Sequence, residues 1–364
     1  MTAPLITEAL KKVRYPGTGK NIVEAGMVAD NIRIEGNKIS FSLIFNKPND
    51  PFAKSIVKAS ETAILTYISP DVDIKGNISI QIIGASSASA PTKDAPNAVE
   101  KPLPHVKNII AISSGKGGVG KSTISANLAV ALAQMGYKVG LLDADIYGPS
   151  IPKMFGEEAA KPCMEEVNGR EWIVPIEKYG VKLLSIGFFV NTEDALIWRS
   201  AMANNALKQL ITNANWGELD YFLIDLPPGT GDIHLTLIQS LNITGGIIVT
   251  TPQDVALAAA RKGISLFQNE KLNVPILGLI ENMAWFTPAE LPENKYYIFG
   301  KDGGKNLAKE LNIPLLGEIP IVQSVREAGD DGKPVALDLD CVMGRVFCEL
   351  AEKLSESGFS GLKD

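Results

Sequence analysis

The residues best suited to chemistry form one unbroken run, Gly115-Lys116-Gly117-Gly118-Val119-Gly120-Lys121-Ser122-Thr123. Their spacing is G-x-x-x-x-G-K-[ST], which binds nucleotide phosphates when it joins a strand to a helix. Glycines let successive backbone N–H groups turn inward around an anion. The positive end of the following helix adds attraction. In such a loop Lys121 reaches the β- and γ-phosphates of a nucleotide such as ATP, and the Ser122 hydroxyl coordinates Mg2+. A glycine-rich turn that matches by chance is the alternative; the strand before the run and the helix after it argue against that.

Acids stand at two further places. Leu141-Leu142-Asp143-Ala144-Asp145 and Tyr221-Phe222-Leu223-Ile224-Asp225 are apolar runs that end in carboxylates. Ligands of doubly wound sheets bind at that edge, and Asp225 there can support the Mg2+ shell. Gly229, in Leu226-Pro227-Pro228-Gly229-Thr230-Gly231-Asp232, can offer its N–H to a γ-phosphate. A strand-ending acid can equally be the first solvated residue; the nearby phosphate loop favours function.

These groups need a sheet edge to hold them, and the chain supplies one. Residues 108–113, 138–142, 181–186, 221–224, 246–250 and 276–280 read as strands. Residues 121–135 and 255–267 read as helices; Ile124, Leu128, Leu132 and Met135 share one face of the first, and Gly136 sits at its C-cap. The alternation predicts an α/β fold, a doubly wound, mostly parallel sheet over 106–364. Residues 84–105 are small, polar and proline-rich, the composition of a flexible linker. Residues 1–83 read as a small α+β domain. Its strands are 22–35 and 38–45, joined across Glu35-Gly36-Asn37, with another at 77–83. Asp50-Pro51 opens its helix, which carries Phe52, Ile56, Val57, Ile64 and Leu65.

The 364 residues are 45% hydrophobic and 21% charged, enough for a large core. A net charge of −6 argues against a nucleic-acid partner bound through a broad basic surface. No apolar run approaches the roughly 18 residues that span a membrane, and three cysteines do not make a disulfide scaffold. The expectation is a soluble cytoplasmic protein with no membrane partner. Cys163 is isolated, before a hairpin over 167–173. Cys341 and Cys348 read as one face of a C-terminal helix, about 10 Å apart along its axis, too far to be adjacent ligands of one small cluster. Small buried hydrophobe is the ordinary reading of a cysteine. His105 and His234 fit no zinc spacing and read as structural.

Lys116 followed by Gly-Gly-Val-Gly-Lys-Ser resembles the deviant Walker A loop of nitrogenase iron protein, the Min and Par partitioning ATPases and the Mrp-type ATPases. LLDADIYGPSIPKMFG (141–156), IDLPPGTGDIHLTL (224–237), TTPQDVAL (250–257), IENMAWF (280–286) and LGEIPI (316–321) are similar to Mrp-type iron–sulfur cluster carriers. The N-terminal unit resembles a small domain found in such proteins and in iron–sulfur assembly factors.

The resemblance implies an ATP-hydrolysing homodimer that delivers iron–sulfur clusters to apoproteins or works with assembly factors. It implies that Lys116 crosses the dimer interface to the partner's nucleotide, that Asp145 positions or activates the attacking water, and that Asp143 and Asp225 support the Mg2+ shell. It also implies that Asn282 reads adenine, with Pro252 and Gln253 nearby. Trp198-Arg199 resembles a family Trp-Arg pair with no role assigned. One departure stands out. Carriers of this type place a C-x-x-C pair after Glu-Asn-Met, and here the segment is Trp285-Phe286-Thr287-Pro288-Ala289-Glu290-Leu291-Pro292-Glu293-Asn294. A metal-free, ATP-dependent interaction switch is therefore the alternative. A membrane-associated partitioning ATPase is a third reading, opposed by a C-terminal segment that is not basic.

Overall fold

A computed structural model describes residues 2–13, 15, 21–29, 31–45, 53–82, 102–167, 169–189, 200–270 and 272–356. The chain divides into two units, Met1–Asn97 and Ala98–Asp364. Residues 83–101, most of the expected linker, lie outside the described residues, as do Asp50-Pro51, Phe52 and Trp198-Arg199.

The first unit runs α1 (Ala3–Leu10), β1 (Arg33–Glu35), β2 (Lys38–Phe45), α2 (Ala53–Tyr67) and β3 (Ile78–Ile82). β2 lies central, antiparallel to β1 and parallel to β3. Ile6, Leu10, Ile39, Phe41, Leu43, Ile56 and Ile64 fill the space between sheet and helices. The strand expected over 22–35 shortens to Arg33–Glu35. The Asn21 side chain accepts the N–H groups of Val23 and Glu24 at 3.1 and 2.8 Å, which coils the segment into turns.

The second unit carries the phosphate loop. Its strands are β4 (Val106–Ser113), β5 (Val139–Asp143), β6 (Met164–Val167), β7 (Arg170–Ile173), β8 (Ile176–Lys178), β9 (Val181–Ser185), β10 (Leu219–Asp225), β11 (Gly245–Thr250), β12 (Ile276–Phe286) and β13 (Leu315–Ile321). Its helices are α3 (Lys121–Gln134), α4 (Ile151–Met154), α5 (Ser200–Thr212), α6 (Asp232–Ser240), α7 (Asp254–Phe267), α8 (Gly303–Glu310), α9 (Gln323–Asp330) and α10 (Val342–Glu356). The main sheet has the order β13-β12-β11-β4-β10-β5-β9-β8. It is parallel except for β8, which returns antiparallel to β9. β6 and β7 form the separate hairpin expected after Cys163.

Both faces of the sheet are covered, so its strands are continuously apolar. Ile109 and Ala111 of β4 face a core shared with Leu207 of α5, Leu237 of α6 and Ile264 of α7. Ile110 and Ile112 face the opposite core, with Leu128 of α3 and Phe347 of α10. A fully buried leucine such as Leu223 contributes about 1.5–3 kcal/mol. α3 ends in a Schellman turn: Gly136 takes φ +89° and Tyr137 donates to the Leu132 carbonyl at 3.2 Å.

β12 runs past its expected end at 280. Met283 takes φ +56° and the pairing with β13 shifts register there. Beyond the break, Phe286 exchanges two backbone hydrogen bonds with Tyr296 at 2.9 and 2.8 Å. The cysteine-free segment is thus a loop closed at its base.

Candidate nucleotide site

β4 is flanked by β10 and β11, and its C-terminal end opens into residues 114–120 before α3 begins. The loop is held from both sides. A Cβ on Gly115 would lie 2.1 Å from the carbonyl carbon of Ala259 in α7, so the backbone passes where no side chain fits. Gly120 takes φ +84°, and a Cβ there would meet the Asn282 amide nitrogen at 2.2 Å. Val119 is buried, whereas Lys116, Gly117 and Gly118 are exposed.

Three polar groups from the start of α3 converge on Asp225 at the end of β10. Its carboxylate pairs with Lys121 Nζ at 2.7 Å and accepts the hydroxyls of Ser122 at 2.6 Å and Ser125 at 2.5 Å. Asp225 is fully buried and Lys121 only 6% exposed, so the pair compensates charge in a low-dielectric site. Thr123 follows in the first turn of α3, half-buried, its carbonyl accepting the Asn127 amide at 2.9 Å.

Asp143 is the register partner of Asp225 on β5. Its oxygens accept the N–H of Asp145 at 3.1 Å, the N–H of Ile151 at 3.3 Å and the Ser185 hydroxyl at 2.9 Å. Burial, then the neighbouring Asp225 charge, pushes its pKa up to about 7. Asp145 is half-buried, accepts the Gly148 N–H at 3.2 Å and is raised chiefly by burial, against the pull of Lys121.

The residues expected to border the base share this edge. Pro252 is buried and Gln253 half-buried where β11 passes into α7. Asn282 lies on the adjacent β12, but its amide donates to the Val119 carbonyl at 2.9 Å, clamping the loop. Gly229 likewise spends its N–H on the Ser114 carbonyl at 2.8 Å.

Ser122, Asp225 and Asp143 offer a hydroxyl and carboxylates, the hard oxygen donors that suit Mg2+ when phosphates complete the shell. They fit the ion as a set. An iron–sulfur cluster is a different matter. Segment 285–294 offers Thr287, Glu290 and Glu293, not soft thiolates. No group of three metal-binding side chains occurs among the described residues. Cys163 is exposed, while Cys341 and Cys348 are partly buried. Cys341 precedes α10 rather than lying within it, as expected, and its sulfur accepts the Gly344 N–H at 3.1 Å.

Three residues of the site escape a reading of motifs. Ser125 lies four residues beyond Lys121, one turn on, and that spacing is its only signal. Ser185 ends β9 beside Asp143. His234, read as structural, is buried in the first turn of α6 with neither ring nitrogen in a hydrogen bond of ordinary geometry.

A phosphate loop leading from the central strand of a parallel sheet, with buried acids on neighbouring strand ends, defines a P-loop nucleoside triphosphatase fold. A family model described as NUBPL iron-transfer P-loop NTPase matches residues 105–355, and one described as iron-sulfur cluster assembly protein matches residues 5–75. The chain belongs to this family of iron-transfer P-loop NTPases. It is 42% identical to the iron-sulfur cluster carrier protein of Synechocystis sp., over 93% of this chain and 92% of that protein. It is 41% identical to the iron-sulfur cluster carrier protein of Aquifex aeolicus, over 96% and 97%. A solved nucleotide-binding protein from Archaeoglobus fulgidus, in complex with ADP, is similar over 66% of this chain and 92% of that one, with 37% identity and a TM-score of 0.56.

Proposed function

We propose that the protein hydrolyses ATP and uses the cycle, as a homodimer, to deliver iron–sulfur clusters to apoproteins. The observation that carries the reading is the convergence of Lys121, Ser122 and Ser125 on Asp225. The phosphates take Lys121 and the backbone N–H groups of 115–121. Ser122 and Asp225 would hold Mg2+, with Asp143 beside them, and the ion would supply charge neutralisation at the phosphates. Asp145, raised by burial, positions the attacking water and takes its proton. Exposed Lys116 reaches the partner's nucleotide, so transition-state charge is stabilised only in the closed dimer. Asn282, Pro252 and Gln253 border the adenine. Residues 84–105 tether the assembly-type domain, keeping its client at high local concentration.

The cluster is cargo in this scheme, and no helix among the described residues is long and apolar enough to cross a membrane. We place the protein in the cytoplasm, where its thiols stay reduced. A second reading is a metal-free switch that docks a client or assembly factor, favoured by the thiolate-free segment 285–294. Anaerobic reconstitution with iron and sulfide separates the two, with iron per chain and the visible spectrum as readouts. The carrier reading expects a cluster in the parent and none in a variant lacking Cys163, Cys341 and Cys348. No cluster in either protein selects the metal-free switch.

A further inference from the structure

His234 sits in the first turn of α6, directly behind the loop that runs from Asp225 to Gly231. Its side chain is 1% exposed, and neither ring nitrogen makes a hydrogen bond of ordinary geometry, although the Pro227 and Gly231 backbone lies beside the ring. Burial keeps the imidazole neutral, pushing its pKa down to about 4; weak hydrogen bonding to the Pro227 and Gly231 backbone opposes that shift and Lys121 reinforces it. A neutral imidazole carries one N–H donor and one acceptor nitrogen. Buried polar atoms of this kind are nearly always paired, because leaving them unpaired costs the full desolvation penalty. The neighbours Ile233, Leu237 and Ile238 are apolar and buried, so a leucine at 234 would pack there without that penalty.

The loop in front of His234 has a bond it must exchange. Gly229 donates its N–H to the Ser114 carbonyl, just before the phosphate loop. A γ-phosphate that takes this N–H breaks the bond and moves the loop, including the Pro227 carbonyl beside the ring. We propose that His234 is a positioning residue: its ring N–H holds the Pro227 carbonyl once the loop has moved onto the γ-phosphate, and so fixes the Gly229 N–H there. The inference rests on the ATP-hydrolysing reading of the site. His234 touches no nucleotide in this account and acts through Pro227 and Gly229. A bond that is well formed in only one arrangement favours that arrangement, so the imidazole discriminates a triphosphate from a diphosphate.

The test compares the parent with His234→Leu and His234→Gln in three measurements. These are the melting temperature, the affinity for a non-hydrolysable ATP analogue relative to ADP, and kcat for ATP. His234→Leu is expected to melt at or above the parent temperature and to bind ADP normally. Its preference for the analogue and its kcat each fall roughly tenfold, the scale of one net hydrogen bond. His234→Gln, whose amide can donate, recovers part of both. Parent-like preference and kcat in His234→Leu overturn the proposal. So does a loss shared equally by ADP binding and melting temperature, which marks a packing role. A parent that hydrolyses no ATP, while His234→Leu still loses analogue preference, overturns the ATPase reading and leaves this one standing.

Discussion

Asp143 and Asp225 stand opposite each other across the β5–β10 pairing, both fully buried, and of the two Asp225 is the one paired with a lysine. The two carboxylates therefore divide the work. Asp225 gathers Lys121, Ser122 and Ser125, whereas Asp143 binds the N–H groups of Asp145 and Ile151 and the Ser185 hydroxyl. The second set of bonds fixes the turn that carries Asp145. Burial first, and then the neighbouring Asp225 charge, raises the pKa of Asp143.

Lys121→Ala removes the cation from a buried pair and leaves Asp225 supported by hydroxyls alone. ATP hydrolysis is expected to vanish, and unfolding in urea to show a loss of about 3–5 kcal/mol. Full activity in this variant would contradict the assignment of the site.

Gly115→Ala drives a methyl group into the backbone of α7 at Ala259. The expected cost is about 1–3 kcal/mol of stability, with weaker ADP binding by calorimetry because the loop is displaced from its support. Unchanged binding and stability would show that α7 does not brace the loop.

Glu281 is 1% exposed and accepts the N–H of Gly304 at the start of α8. Burial raises its pKa, with Glu318 and Asp302 adding to the shift and the Gly304 and Lys305 backbone opposing it. A carboxyl raised on folding stabilises the protein below its unfolded pKa of 4.5, and that contribution is lost as pH rises through the folded value. Glu281→Gln keeps an oxygen for Gly304 and removes the buried charge. Its melting temperature is expected to exceed the parent's at pH 8, with the gap shrinking toward pH 5. The opposite trend would mean that the carboxylate is stabilising.

Lys116→Ala alters an exposed side chain that forms no ion pair among the described residues. Stability should change by no more than about 0.5 kcal/mol, measured by urea unfolding, while hydrolysis falls to background. Retained hydrolysis would remove the partner's lysine from the mechanism.

The phosphate loop was legible because phosphate binding dictates residue types at fixed spacing, and β4, β5, β10 and β11 because strands buried on both faces must be apolar. The rest depends on contacts that local pattern does not encode. Ser125 meets Asp225 across 100 positions and Ser185 meets Asp143 across 42. The coiling of 22–29 follows from one asparagine side chain, and the extension of β12 from a left-handed residue at Met283. The Asn282 amide and the Gly229 N–H bind carbonyls of the loop region itself, Val119 and Ser114, a pairing no motif reveals. Cys341 lies just outside the helix expected to contain it, because α10 begins at Val342 and the Cys341 sulfur accepts the Gly344 N–H.

The central claim is a dimer in which each subunit's Lys116 completes its partner's site, and mixing two inactive variants tests it most directly. Lys116→Ala retains Asp145 but lacks the crossing lysine; Asp145→Asn retains the lysine but lacks the acid. In a two-fold dimer, equal mixing makes half the dimers mixed, each with one complete site, so about a quarter of parent hydrolysis should return. A mixture as inactive as either variant alone, under conditions where the parent hydrolyses ATP and subunits exchange, would contradict the account.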